Sequence, residues 1–253
     1  MESARGDPAI QDLERLELRG ENMAEKQNVI ICVVGRKGSG KSHLIKGAIA
    51  EARSRSWFFF IWDPMGEYSD VPRENTFTDT DDAEEFFDWS RKEPAWSEGW
   101  MARFISHFNM EDDFESVCDL VYRRGRLTFV VEEVPLLCEP GYAPPNFDRL
   151  IRLGRHRGVN LVCIGQRLAE FSRRLTAAAD IFYIFGTKEP RDLQGIAERC
   201  GPEVAAAVAG LQGHDYVDYQ VRDDSFKVIT AAAGGEQGEA GDKSGDRSAD
   251  ARA

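Results

Sequence analysis

The chain has 253 residues, 42% of them hydrophobic, which is enough for one sizeable α/β domain with a buried core. A formal net charge of −12 excludes a generally basic protein that coats nucleic acid. No apolar run approaches the roughly 20 residues of a membrane helix, and the N-terminus has no apolar signal segment, so we expect a soluble cytoplasmic protein without membrane contact.

Two polar segments flank the predicted domain. Residues 1–25 carry few apolar side chains and are predicted to form a polar N-terminal arm. Residues 231–253 consist mostly of Ala, Gly, Ser and charged residues without an aromatic residue, which predicts a disordered tail. The folded domain is therefore expected to span residues 26–230.

Residues 35–42 match the pattern G-x-x-x-x-G-K-[ST] of a phosphate-binding loop. Glycines let the backbone N–H groups turn toward phosphate oxygens, while Lys41 brings charge to the phosphates and the Ser42 hydroxyl can ligate Mg²⁺. An apolar strand is predicted before the loop at 28–34 and a helix after it at 41–53. The predicted nucleotide-binding residues are Gly35, Arg36, Lys37, Gly38, Ser39, Gly40, Lys41, Ser42 and His43.

A second apolar strand is predicted at 57–62, directly before Asp63 and Glu67. Both carboxylates follow the strand at the expected nucleotide edge, so we expect them to support the Mg²⁺ site; the alternative is a simple turn. Residues 79–93 then carry seven acidic and two basic side chains. Because these acids would repel a phosphate backbone, segment 77–100 favours an insertion or a subunit contact over a nucleic-acid surface.

Residues 127–131 form an apolar run that ends in Glu132 and Glu133. Two adjacent acids after a buried strand suit nucleotide hydrolysis, in which one holds the Mg²⁺ shell and the other polarises the attacking water. We assign Glu132 to the metal and Glu133 to the water. Asp is the usual first residue of such pairs, so the division of labour between the two glutamates stays open.

Basic side chains cluster at a few places on this acidic chain. Residues 149–157 contain four basic residues and no acidic one. Local basic patches suit contact with a polyanion at one confined surface, although each cluster also fits ordinary solvated charge. The other candidates for phosphate contact are Arg123, Arg124, Arg126, Arg173 and Arg174.

The predicted strand at 160–165 is followed by Gln166, which is placed to sense the terminal phosphate or the water because ligands bind at the carboxyl ends of parallel strands. The remaining predicted strands lie at 103–108, 181–185, 215–221 and 225–230. The remaining predicted helices lie at 81–92, 111–124, 145–157, 168–173 and 189–200, the last beginning at Thr187 as N-cap and ending at Gly201-Pro202.

This alternation predicts an α/β fold of the P-loop NTPase class. We expect a mostly parallel, RecA-like sheet with helices on both faces and a C-terminal β-hairpin.

Four motifs in this order, at 35–42, 63–68, 132–133 and 154–167, resemble the HerA–FtsK superfamily of ring-forming P-loop ATPases. The segments 63–68 and 154–167 are similar to the HerA branch in particular. Relatives usually carry Thr where this chain has Gly165, a departure at the sensor turn.

The resemblance implies a hexameric or pentameric motor that hydrolyses ATP with Mg²⁺ and moves double-stranded DNA by backbone contacts without reading bases. Lys41, Glu133 and Gln166 are the expected catalytic residues of one subunit. The neighbouring subunit supplies an arginine finger, for which Arg155 is the first candidate, ahead of Arg157 and Arg152. The short chain favours viral or phage genome packaging in the host cytoplasm or at the virion vertex, with a portal, capsid or nuclease partner.

Three other functions remain open at this point. A HerA-like cellular DNA translocase or helicase would share every motif above. A P-loop kinase for a small molecule, or a nucleotide-dependent assembly switch, would share the phosphate loop. The paired acids and Gln166 favour hydrolysis by water over both.

Overall fold

A computed structural model of the protein describes residues 29–53, 57–92 and 99–231. The predicted arm at 1–25 and almost all of the predicted tail at 231–253 lie outside these residues. Within the described residues, no helix is both long enough and apolar enough to cross a membrane.

The described residues form one nine-stranded sheet in the order β3-β4-β2-β5-β6-β1-β7-β8-β9. The strands are β1 (Ile30–Val34), β2 (Phe58–Trp62), β3 (Thr76–Phe77), β4 (Trp100–Phe104), β5 (Leu127–Val131), β6 (Val159–Gly165), β7 (Ile181–Phe185), β8 (Tyr216–Gln220) and β9 (Ser225–Ile229). In this order, all neighbouring strands from β3 to β7, including β1 and β2, pair in parallel, and β8 and β9 add an antiparallel hairpin.

The helices connect these strands in sequence. They are α1 (Lys41–Arg53), α2 (Thr80–Trp89), α3 (Met110–Arg124), α4 (Pro145–Leu153), α5 (Arg173–Ala178), α6 (Pro190–Cys200) and α7 (Pro202–Gly210). Alternating strands and helices in a parallel sheet confirm the predicted α/β class, including the C-terminal hairpin.

The helices are divided unequally between the two faces of the sheet. On one face, α1 packs Leu44, Ile45 and Ile49 against strand residues such as Val33 and Val162. Buried residues of all the other described helices belong to the cluster on the opposite face. The phosphate loop therefore leads directly into the one helix that covers its side of the sheet.

Strand register brings the carboxyl ends of the central strands to one level. Val34 at the end of β1 pairs with Gly165 at the end of β6, and Trp62 at the end of β2 pairs with Val131 at the end of β5. Because β6 lies between β1 and β5, the residues that follow these strands meet at one edge of the sheet.

Several predicted boundaries are wrong. The strand expected at 103–108 spans Trp100–Phe104, and the helix expected at 145–157 stops at Leu153, where the 3₁₀ turn Gly154–Arg157 takes over. The helix expected at 168–173 is a 3₁₀ turn at Leu168–Glu170, followed by α5.

The most instructive error concerns Gly201-Pro202, which was expected only to end a helix. The pair does end α6, but Pro202 also begins α7, since proline suits the first helical position, where no N–H bond is needed. Thr187 is not the N-cap of α6, because Glu189 occupies that position; the Thr187 hydroxyl instead accepts a hydrogen bond from the Glu189 N–H at 3.2 Å.

Candidate nucleotide-hydrolysis site

The phosphate loop closes through its glycines. Gly38 and Gly40 have φ angles of 77° and 106°, in the left-handed region that glycine adopts without strain. Gly35 is needed for space, because a Cβ there would lie 2.6 Å from both the Phe185 Cβ and the Ser39 Oγ. A second contact holds the loop from outside, where His214 Nδ1 lies 3.0 Å from the Ser39 carbonyl oxygen.

Lys41 is buried at the centre of the loop, with 8% of its surface exposed. Its ammonium group donates to the Gly35 carbonyl at 2.6 Å. Burial lowers the pKa of Lys41, and the nearby carboxylates of Glu133, Glu132 and Glu67 oppose that effect. The loop thus encloses one cation within reach of three carboxylates, an arrangement suited to a phosphate with a bound metal ion.

Ser42 contacts a residue from a different part of the chain. Its Oγ donates to Glu67 Oε2 at 2.9 Å, and Lys46 Nζ donates to the Glu67 carbonyl at 2.6 Å. Glu67 therefore lies next to the hydroxyl that was predicted to ligate Mg²⁺.

Asp63 fixes the loop that carries Glu67. Its fully buried carboxylate accepts hydrogen bonds from the backbone N–H of Glu67 at 2.8 Å and of Tyr68 at 3.0 Å. Arg103 donates to the same carboxylate at 3.0 Å, which balances its charge. Asp63 thus forms a turn, as one expectation had it, and this turn places two side chains at the site.

The second of these side chains, Tyr68, reaches the Glu132 carboxylate. The Tyr68 hydroxyl donates to Glu132 Oε1 at 2.6 Å, and Glu132 is 5% exposed. Burial raises the pKa of Glu132 to about 7; the Tyr68 bond and Lys41 lower it, whereas the neighbouring acids raise it. Sequence reasoning gave Tyr68 no role, although its position directly after Glu67 in the motif is a usable signal.

Glu133 points to a different partner. Its backbone is left-handed, with φ 50° and ψ 49°, which costs a non-glycine residue about 1 kcal/mol. Gln166 Nε2 lies 3.4 Å from Glu133 Oε1, a long hydrogen bond between the ends of β5 and β6. The two adjacent glutamates therefore have separate surroundings, with Glu132 buried against Tyr68 and Glu133 partly exposed beside Gln166.

Packing explains why glycine occupies position 165. A Cβ at this position would lie 2.3 Å from Phe171 Cε1 and 3.0 Å from Pro135 Cδ. The Phe171 ring thus occupies the space that a threonine side chain would need.

The three finger candidates differ in their contacts. Arg152 pairs with Asp148 at 3.0 Å, and Arg157 donates to two backbone carbonyls at the end of α3. Arg155 is exposed, and its side chain makes no hydrogen bond or ion pair with any residue in the described part of the chain. It lies before β6, at the sheet edge opposite its own phosphate loop.

One expected phosphate contact is wrong. Arg124 is 5% exposed; it donates to Ser90 Oγ at 2.7 Å and stacks over the rings of Phe58 and Trp100. Burial lowers its pKa to about 10. A guanidinium enclosed in this way is a core residue and does not reach a polyanion in solution. The other four candidates, Arg123, Arg126, Arg173 and Arg174, are all exposed, although Arg123 pairs with Glu84 and Asp119 and Arg174 pairs with Asp148.

The oxygen atoms at the site suit a hard divalent cation. Ser42 and Glu67 present a hydroxyl and a carboxylate in contact, and Glu132 lies nearby. Among the residues that the structure describes, no group of three His, Cys, Asp or Glu side chains is placed to hold a metal alone. That composition fits Mg²⁺, which binds through one or two carboxylates and completes its shell with phosphate oxygens and water.

A cavity of about 590 Å³ opens beside the loop, at the ends of β1, β6 and β7. Arg36, Gln166 and Lys188 are among the residues that line it. Its volume is typical of a small-molecule site.

The strand, loop and helix at 30–53, together with the acids after β5, define the P-loop NTPase fold. No protein-family model matches the chain, and no curated protein is significantly similar to it.

Solved structures do match. The chain is similar to the genome packaging NTPase B204 from Sulfolobus turreted icosahedral virus 2 in complex with ATP-γS, at 22% identity and a TM-score of 0.68, over 82% of this chain and 99% of that one. B204 from Sulfolobus turreted icosahedral virus, a DNA-packaging ATPase, matches at 21% identity and a TM-score of 0.64, over 82% and 100% of the two chains. VirB4 of Thermoanaerobacter pseudethanolicus matches at 13% identity and 0.58, over 84% and 92%. These matches confirm the predicted fold.

Proposed function

We propose that this chain is a HerA–FtsK-type ATPase that moves double-stranded DNA through a ring, most simply as a viral genome-packaging motor. The observation that carries the proposal is the meeting of Lys41, Ser42, Glu133 and Gln166 at one edge of the sheet. The similarity in fold to a genome packaging NTPase crystallised with ATP-γS supports the same assignment.

Each side chain has a chemical task in ATP hydrolysis. The loop N–H groups and Lys41 bind the β- and γ-phosphates. Glu133 orients the attacking water and takes its proton, while Gln166 holds the Glu133 carboxylate in place. The water oxygen bonds to the γ-phosphorus as the bond to the bridging oxygen breaks, and ADP and phosphate leave. Ser42 and the nearby carboxylates would hold Mg²⁺, which neutralises phosphate charge when bound.

A neighbouring subunit completes this site in the proposed ring of five or six copies. Arg155 is exposed and lies at the far edge from its own phosphate loop, so it is available to the nucleotide of another copy. The exposed arginines contact DNA phosphates without reading sequence, and a portal, capsid or nuclease component is the expected docking partner.

ATP hydrolysis measured with and without duplex DNA tests the proposal. We expect DNA to stimulate phosphate release by the wild type, and Glu133→Gln and Arg155→Ala each to lower kcat by at least about 100-fold. Glu74→Gln, a charge-matched change on an exposed residue away from the site, should leave kcat unchanged.

Three results would contradict the proposal or one of its parts. Hydrolysis that is indifferent to DNA would argue against a translocase, and transfer of phosphate to a small acceptor would favour a kinase. Full activity of Arg155→Ala would exclude Arg155 as the arginine finger.

A further inference from the structure

The loop after β2 brings a carboxylate into contact with the metal-binding hydroxyl of the motif. Glu67 Oε2 and Ser42 Oγ lie 2.9 Å apart. Mg²⁺ binds oxygen atoms at about 2.1 Å in an octahedron, so two adjacent ligand atoms in its shell lie about 3.0 Å apart. The two side chains are therefore already spaced as neighbouring ligands of one ion.

This placement of Glu67 is built into the backbone on both sides of the residue. Its N–H donates to the buried Asp63 carboxylate at 2.8 Å, and its carbonyl accepts from Lys46 Nζ at 2.6 Å. Arg103 pairs with Asp63 and thereby fixes the anchor. A carboxylate held through its own main chain needs little reordering to bind a ligand, which favours affinity.

Glu132, the acid expected to hold the metal, is engaged differently. Its Oε1 accepts a hydrogen bond from the Tyr68 hydroxyl at 2.6 Å. Tyr68 and Glu67 are consecutive, so the same loop places the Glu67 carboxylate at Ser42 and hydrogen-bonds one oxygen of the Glu132 carboxylate through Tyr68. The carboxylate in contact with the Ser42 hydroxyl is that of Glu67.

We propose that Glu67 is a ligand of the catalytic metal ion, directly or through a bound water, beside Ser42. The proposal rests on the ATPase function above and deepens it, since it makes Glu67, which was expected only to support the Mg²⁺ site, a ligand of the ion, a role that was assigned to Glu132. Glu67 thereby supplies a negative charge next to the metal ion, while Glu133 orients the attacking water.

Binding of Mn²⁺ in place of Mg²⁺ tests this assignment on the full chain without any turnover. Electron paramagnetic resonance would follow the loss of free Mn²⁺ as it binds to the protein–ADP complex. We expect Glu67→Gln to weaken Mn²⁺ binding by about 10- to 100-fold. Its affinity for ADP in EDTA should equal that of the wild type, because the loop backbone and Lys41 remain.

Glu74→Gln is the matched control, because Glu74 is exposed on the same connection between β2 and β3 and lies outside the site. Its Mn²⁺ affinity should equal that of the wild type. If Glu67→Gln binds Mn²⁺ as tightly as the wild type and Glu132→Gln binds it more weakly, then Glu132 is the metal ligand and the proposal is overturned. An equal loss of ADP affinity in EDTA would also overturn it, since Glu67 would then only support the loop.

The proposed function fails in a different way. If the wild type binds neither ADP nor Mn²⁺ with ADP, the chain is not a metal-dependent ATPase, and the assignment of Glu67 falls with it. If the wild type binds both and hydrolyses ATP without regard to DNA, translocation fails while the role of Glu67 is still decided by the titration.

Discussion

Glu132→Gln should make the protein without nucleotide more stable at alkaline pH. Burial raises the pKa of Glu132 from its ordinary value of 4.5 to about 7. Between these values the folded state binds a proton that the unfolded state releases, so the wild type loses stability as pH rises. At about 1.4 kcal/mol per pH unit, the gap between 4.5 and about 7 corresponds to about 3 kcal/mol at pH 8.

The glutamine variant avoids this cost. Its amide is neutral at every pH and close in shape to the protonated acid, and its oxygen can still accept the Tyr68 hydroxyl bond. We therefore expect Glu132→Gln to exceed the wild type by about 1–3 kcal/mol at pH 8, the lower figure allowing for relaxation around the charge, and to match it near pH 4.5.

Urea unfolding in EDTA, without nucleotide, at pH 4.5, 6 and 8 measures the difference. Titrating groups away from Glu132 are common to both proteins, so their contributions cancel in the comparison. Glu74→Gln, on an exposed residue, serves as the control and should follow the wild type at all three pH values. A difference that does not change with pH, or a variant less stable than the wild type at pH 8, would refute the reasoning.

Two substitutions test the packing. Gly165→Ala should lower the free energy of unfolding by about 1–3 kcal/mol, because its Cβ would meet the Phe171 ring at 2.3 Å. Gly47→Ala is the control and should not destabilise the protein, since the space around Gly47 is open. Equal stability of the two variants in urea unfolding would contradict the steric explanation of Gly165. Arg124→Ala should lower the free energy of unfolding by about 3 kcal/mol, because the hydrogen bonds to Ser90 and the ring contacts are lost. Its DNA affinity in a filter-binding assay should equal that of the wild type. A selective loss of DNA affinity would instead show that Arg124 contacts phosphate.

The parts of the fold that local sequence determines were predictable. Strand β1, the phosphate loop and helix α1 follow from a β-branched run, spaced glycines and an apolar face, and α1 begins and ends where it was expected. The boundary at Gly201-Pro202 was not predictable in the same way. A glycine followed by a proline suits both the end of one helix and the start of the next, and only the packing of α7 distinguishes the two.

The residues of the candidate site also fall into two groups, those that local sequence predicts and those that it does not. The phosphate-loop residues and the Glu132–Glu133 pair are continuous in sequence, so their pattern is visible. The contact of Tyr68 with Glu132 joins residues 64 positions apart, and no local pattern encodes it. The burial of Arg124 did leave a signal that was missed, because Arg124 follows Leu120 and Val121 at helical spacing on the buried face of α3.

The adjacency of Glu67 and Tyr68 ties two parts of the site together. Glu67 accepts a hydrogen bond from the Ser42 hydroxyl at the start of α1, and Tyr68 donates one to Glu132 at the end of β5. Because one peptide unit joins the two residues, a single short stretch of main chain carries both contacts. The start of α1 and the end of β5 are thus linked without a relay through the hydrophobic core.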